Sequence, residues 1–138
     1  RRCGNVVITW WRRLSVEQHT ARDVKAIVMD YLRAALDVPV TSKRRDDGTA
    51  AYVLVIDTGG AGRSRKVILN SQLTIDSYGA SSGKSADLAR RVDALMYALP
   101  ASPVPVARVR GFTPSYSPDP VSGQDRHTAT YQLKTKII

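Results

Sequence analysis

Gly79, Gly83, Lys84 and Ser85 are the residues whose types and spacing come closest to a known chemistry, because the run from 79 to 85 nearly matches a Walker A nucleotide loop. A strand-like run (residues 73–78) precedes it and a helix-like run (86–99) follows, as that loop requires. The Walker loop needs four residues between its first glycine and Gly-Lys-Ser/Thr, so that successive amides wrap a phosphate chain. This chain has three, and no other glycine restores the spacing. The hydrophobic run 52–57, ending in Asp57, resembles a magnesium-holding strand but comes before the loop rather than after it. The spacing therefore predicts a polar strand-to-helix turn, with Ser85 capping the helix and Lys84 in solvent.

The other titratable residues converge little. His19 and His127 have no Cys or His at ligand spacing. Asp46 and Asp47 form a turn pair beside Arg44 and Arg45, and Asp119 and Asp125 sit in a Pro/Gly loop, where aspartate organises turns. No serine stands in a nucleophile elbow. The residues predict neither catalysis nor a cofactor or metal.

Net charge is +9, from fifteen arginines and six lysines against eleven aspartates and one glutamate, Glu17. Such an excess favours polyanions through steering and counterion release. The cations are spread evenly, and the few aromatics do not interleave with the basic pairs as base stacking would need. The pattern suggests a protein that lies near DNA without reading it. One cysteine, Cys3, excludes an internal disulfide framework and suits a reducing cytoplasm. No apolar run reaches membrane-spanning length, so no membrane partner is expected. The segment 6–14 is also interrupted by arginine and lacks a signal-peptide cleavage site.

The positioning elements follow from periodicity. At 138 residues the chain has room for one core, giving an N-terminal extension (1–16) and a single domain (17–138). In the extension, adjacent Trp10 and Trp11 cannot both point inward, so either one contacts another subunit or the extension folds over the core. Thr20 is the expected N-cap of a first helix, with Asp23 near its dipole. Val24, Ile27, Val28, Tyr31, Leu32 and Ala35 share one face of it, and Pro39 closes it. Residues 52–56 read as a strand apolar on both faces. Thr58, Gly59, Gly60, Gly62, Arg63 and Arg65 read as a mobile, basic hairpin tip, with Lys66 starting the return strand to Tyr78. Leu88, Val92, Leu95, Met96 and Leu99 mark a second helix, with Asp87 in its first turn and Pro100 at its end. Residues 106–112 form a strand, 113–123 a loop, and 126–138 a half-buried strand with a polar outer face. The order predicts a two-layer α+β domain, with two principal helices on one face of a mainly antiparallel or mixed sheet of four to five strands.

One succession is more specific. A strand ending Ile75-Asp76-Ser77-Tyr78-Gly79 leads into the helix 85–100, then the basic strand Val106-Ala107-Arg108-Val109-Arg110. The loop Ser117-Pro118-Asp119-Pro120-Val121-Ser122-Gly123-Gln124-Asp125-Arg126 follows and closes on Thr128-Ala129-Thr130-Tyr131-Gln132-Leu133. This resembles the tail terminator (tail completion) proteins of long-tailed bacteriophages, especially those infecting actinobacteria, over about residues 20–136. The resemblance implies a structural virion protein without cofactor, assembled in the host cytoplasm as a homo-oligomer, a hexameric ring. Such a ring caps the tail tube protein on one face, meets the head-side connector or stopper on the other, and makes transient non-specific contact with DNA in its lumen. Interface or lumen candidates are Gly59, Gly60, Gly62, Arg63, Arg65 and Lys66 in the hairpin, Pro118, Asp119, Pro120 and Arg126 in the loop, and Trp10 and Trp11. The alternatives are a connector or stopper subunit of the phage neck, and a small basic nucleic-acid-binding or nucleotide-binding protein.

Overall fold

The computed structural model describes residues 20–65 and 67–137. The extension 1–16 with Cys3, Trp10 and Trp11, the residues Glu17 and His19, and Lys66 lie outside the described residues. In order, the elements are helix α1 (Val24–Ala35) and strands β1 (Val40–Thr41), β2 (Tyr52–Ser64) and β3 (Ile68–Gly79). Helix α2 (Ser82–Ala98), a 3-10 turn (Leu99–Ala101) and strands β4 (Val106–Gly111), β5 (Ser115–Tyr116) and β6 (Asp125–Lys136) complete them.

Helix α1 begins where its apolar period begins. Asp23, not Thr20, is the N-cap, and its carboxylate accepts the Ala26 N–H at 3.0 Å. Val24, Val28, Met29 and Leu32 form the buried stripe. Helix α2 starts a turn earlier than its apolar residues suggest. Ser81 caps it by accepting the Lys84 N–H at 3.2 Å, so Ser85 is inside the helix and Asp87 falls in the second turn. The cap is thus Ser81 and not Ser85, which is fully buried.

The sheet order is β1-β2-β3-β6-β4, with β5 also on β6. Among the described residues all pairings are antiparallel except β1 with β2, so the α+β sheet is mixed and has six strands there. The number exceeds the expected four to five because β1 and β5 are two-residue pieces, too short to carry a period. Alternation along the strands sorts the residues onto two faces. Val53, Val55, Leu73, Ile75, Val109, Ala129, Tyr131 and Leu133 point to the helices and form one core with Val28, Leu32, Leu88, Val92, Met96 and Leu99. The Tyr31 hydroxyl, donating to the Leu95 carbonyl at 2.7 Å, ties the two helices together.

The glycine-rich segment departs from expectation. It continues the β2 ladder to Ser64 opposite Ile68, and the turn is confined to the residues around Arg65, which has a φ of 54°. Two irregularities, between Asp57 and Gly59 and between Gly59 and Gly62, absorb the glycines as bulges. Gly60, at φ 123°, lies so close to β3 that a Cβ would come 2.4 Å from the Asn70 carbonyl oxygen. Asn70 holds this stretch through Nδ2, which donates to the Gly62 carbonyl at 2.8 Å and to Ser64 Oγ at 2.9 Å.

Candidate interface

The face of the sheet away from the helices has two halves. In the first, Tyr52 and Tyr78 stack in parallel, centroids 4.3 Å apart, and form a small second core with Leu54. The Pro/Gly loop covers them, and Asp119 is the residue that shapes it. Its Oδ1 accepts the N–H groups of Val121 (2.9 Å) and Ser122 (3.4 Å). Its Oδ2 accepts Arg44 Nε at 2.7 Å and the Tyr78 hydroxyl at 3.1 Å. Burial alone would raise the Asp119 carboxyl, but these donors outweigh it and hold it down at about 2. Burial pushes the Tyr78 hydroxyl up.

Arg126 closes the same half. Its Nε donates to the Ser117 carbonyl at 2.8 Å, and its guanidinium lies 3.6 Å from Asp76 Oδ2 and 5.9 Å from the Tyr78 ring centroid. Asp76 is buried, and its other oxygen has no partner among the described residues. Asp119 is 3% exposed, so this candidate is an internal organiser of the loop rather than a carboxylate on its surface. Arg126 is likewise committed inward. Pro118 and Pro120 are exposed on either side of Asp119.

The second half is bare. β3 presents Asn70, Gln72 and Thr74; β6 presents Thr130, Gln132 and Lys134; β4 presents Arg108 and Arg110, and Phe112 follows at its end. Two rows cross four strands here: Gly59, Gln72, Gln132 and Arg110, then Gly62, Asn70, Lys134 and Arg108. Among the described residues, these cations have no carboxylate within 4 Å, and the two depressions on the face are lined without an acidic residue. Phe112 is 77% exposed. The hairpin candidates Gly59, Gly60, Gly62, Arg63 and Arg65 are all exposed at the edge of this half.

Reading the chain residue by residue missed this arrangement. Arg108, Arg110 and Phe112 recur every second position, so a strand sets one aromatic at the end of a basic column on one face.

The Walker-like residues do not form a phosphate cradle. Only Ala80 and Ser81 separate β3 from α2, and a Cβ on Gly79 would lie 2.5 Å from the Ser85 nitrogen. Strand end and helix start pack directly together, while Lys84 is exposed as expected. Ser85 Oγ lies 2.7 Å from His127 Nδ1 and 3.0 Å from the Ser82 carbonyl, and the ring of Tyr116 packs edge-on to His127. With Ser85 buried, the Ser–His contact ties α2 to β6 and offers no reachable nucleophile. No group of three or more His, Cys, Asp or Glu that could hold a metal occurs among the described residues, and no described helix is long and apolar enough to cross a membrane. No known family model matches this chain, and no curated protein matches it.

Proposed function

We propose that this chain is a structural, ring-forming subunit of the tail terminator kind, without catalysis or cofactor, acting in a virion at the junction of tail and neck. One observation supports it most: among the described residues the sheet has two free edges at the same level and of opposite sense. β2 is paired with β1 only at Val53 and Leu54, so among the described residues 55–64 have no strand on their outer side. At the other edge, β4 pairs with β6 alone among the described residues. Strand directions alternate from β2 through β3 and β6 to β4, so β4 runs opposite to β2. A β2 edge from a second copy laid beside β4 continues the antiparallel alternation, and the two rows of the bare face run on across the boundary. Unpaired strand edges favour such addition, and a head-to-tail contact that closes makes a ring without free ends.

In this reading the exposed hairpin, with Arg63 and Arg65, and the prolines Pro118 and Pro120 meet the tail tube protein and the head-side connector. Duplex DNA passes through the lumen with only transient, non-specific contact. Native mass spectrometry with negative-stain imaging tests the assembly: closed rings, six copies on the family likeness, are expected, free or on tails. A strict dimer under both conditions refutes it. Replacing Arg63 and Arg65 by glutamate is expected to leave the subunit folded, since both side chains are exposed, and to give tails of uncontrolled length or tails that fail to join heads. Normal particles at normal yield would move the docking surface to the Pro/Gly loop. A connector or stopper subunit would use the same edges, and imaging of labelled particles separates the two by position along the neck. The bare basic face favours a second reading, in which the chain binds nucleic acid directly.

A further inference from the structure

The bare half of the sheet carries a feature that ring assembly does not require. Side chains on one face of a strand recur about every 6.6 Å, so Arg108, Arg110 and Phe112 make a column along β4. The neighbouring strand sets Lys134 beside Arg108 and Gln132 beside Arg110. The end of the column is fixed by the Tyr97 hydroxyl, which donates to the Gly111 carbonyl at 3.1 Å, and by the Phe112 N–H, which donates to the Thr130 carbonyl at 3.4 Å. A depression lined by Gln72, Arg110, Phe112, Thr130 and Gln132 joins the aromatic ring to the cations. The side-chain amides of Gln72 and Gln132 make no hydrogen bond among the described residues and face the same space.

We propose that this face binds single-stranded nucleic acid, with Arg108, Arg110 and Lys134 on consecutive phosphates and a base stacked on Phe112. Charge chooses the backbone: three cations without an acid beside them suit a polyanion. Phe112 chooses the single strand. A duplex keeps its bases stacked inside and offers an exposed ring nothing to stack on, whereas an unpaired base has a free face. Gln72 and Gln132 stand where the edge of that base would lie. The site is complete within one subunit and does not depend on the ring.

The test is fluorescence anisotropy with the full chain, a labelled single-stranded oligonucleotide and its duplex, from about 50 to 200 mM salt. Single strand is expected to bind in preference to duplex. Phe112→Ala is expected to weaken the single strand about tenfold and the duplex not at all. The pair Arg108→Gln and Arg110→Gln is expected to reduce the salt slope for the single strand by about 1.4. The pair Arg90→Gln and Arg91→Gln, exposed on helix α2 in the layer opposite this face, serves as the control and should change neither. All these side chains are exposed, and unchanged melting temperatures establish that the variants fold. No binding at low salt, equal affinity for duplex with no effect of Phe112→Ala, or equal losses from the Arg90, Arg91 pair each overturns the proposal. So does a Phe112→Ala variant that changes particle mass but not affinity, which would make Phe112 a contact between copies or with an acidic protein. Particle mass, read separately, decides the ring whichever way binding falls.

Discussion

Arg126 and Arg110 project from the same sheet face, yet their surroundings differ. Arg126 is folded under the Pro/Gly loop, bonded to the Ser117 carbonyl and set against Asp76 and Tyr78. Arg110 stands on open strand beside Gln132, with no carboxylate within reach among the described residues. The covered half uses its charges to hold the chain together. The bare half leaves its charges unspent, at a place where the strand ladder already supplies stability. Polar residues on a sheet are thus not one class. Those that receive a loop become structure, and those that do not are available to a partner.

The sharpest way to break this comparison is to remove Asp119. In Asp119→Ala, Arg44 and the Tyr78 hydroxyl lose their acceptor and the loop amides lose their anchor. Truncating one partner of a buried, hydrogen-bonded charge is expected to cost about 2–3 kcal/mol here, because Arg44 remains partly solvated. A thermal melt should fall by roughly 10 °C. The Arg108→Gln, Arg110→Gln pair on the bare half should stay within about 0.5 kcal/mol of the parent. Equal losses in both would erase the distinction between the halves.

The same carboxylate sets a pH dependence. Its folded value, about 2, lies below that of an unfolded aspartate. Its contribution is therefore complete above about pH 4 and is lost as the pH falls through that value toward 2. Comparing urea midpoints at neutral and acid pH should show this loss in the parent and a smaller one in Asp119→Asn. A parallel decline in both would mean that Asp119 is not the group responsible.

Gly60→Ala sharpens the comparison from the other side. A Cβ there meets the Asn70 carbonyl oxygen at 2.4 Å, at a backbone angle that side chains rarely adopt. A loss of about 2 kcal/mol is expected. Gly62→Ala, with open space around the same position, should lose less, from backbone strain alone. If the two variants melt alike, the bulge does not pack against β3 as described.

These contrasts also explain which features were legible in the sequence. The 3.6-residue period of Val24, Val28 and Leu32 and the alternation of Ala129, Tyr131 and Leu133 come from burial, so both helices and the last strand could be read directly. The glycines at 59, 60 and 62 read as a mobile tip because glycine usually signals a turn. Here it serves bulges within a ladder, and only the partner strand, with Asn70, makes that visible. The Arg44–Asp119 pair joins residues 75 apart in sequence, a separation no local pattern encodes. Ser81 and Ser85 are both acceptable caps locally. The packing of Gly79 on the helix start selects Ser81.

The smallest expected effect lies at the Walker-like turn, outside both halves. Lys84 is exposed, the connection from β3 to α2 is two residues long, and Gly79 is in backbone contact with Ser85. A phosphate would have to separate the strand end from the helix, breaking that contact. Lys84→Ala is therefore expected to change stability by no more than about 0.5 kcal/mol and to leave assembly unaltered. ATP or GTP, added to the parent or the variant, should not move the melting temperature, since a ligand that binds the folded state would raise it. A nucleotide-dependent rise in the parent that disappears in Lys84→Ala would return the turn to nucleotide chemistry, and would require the end of β3 to open away from α2 when the ligand arrives.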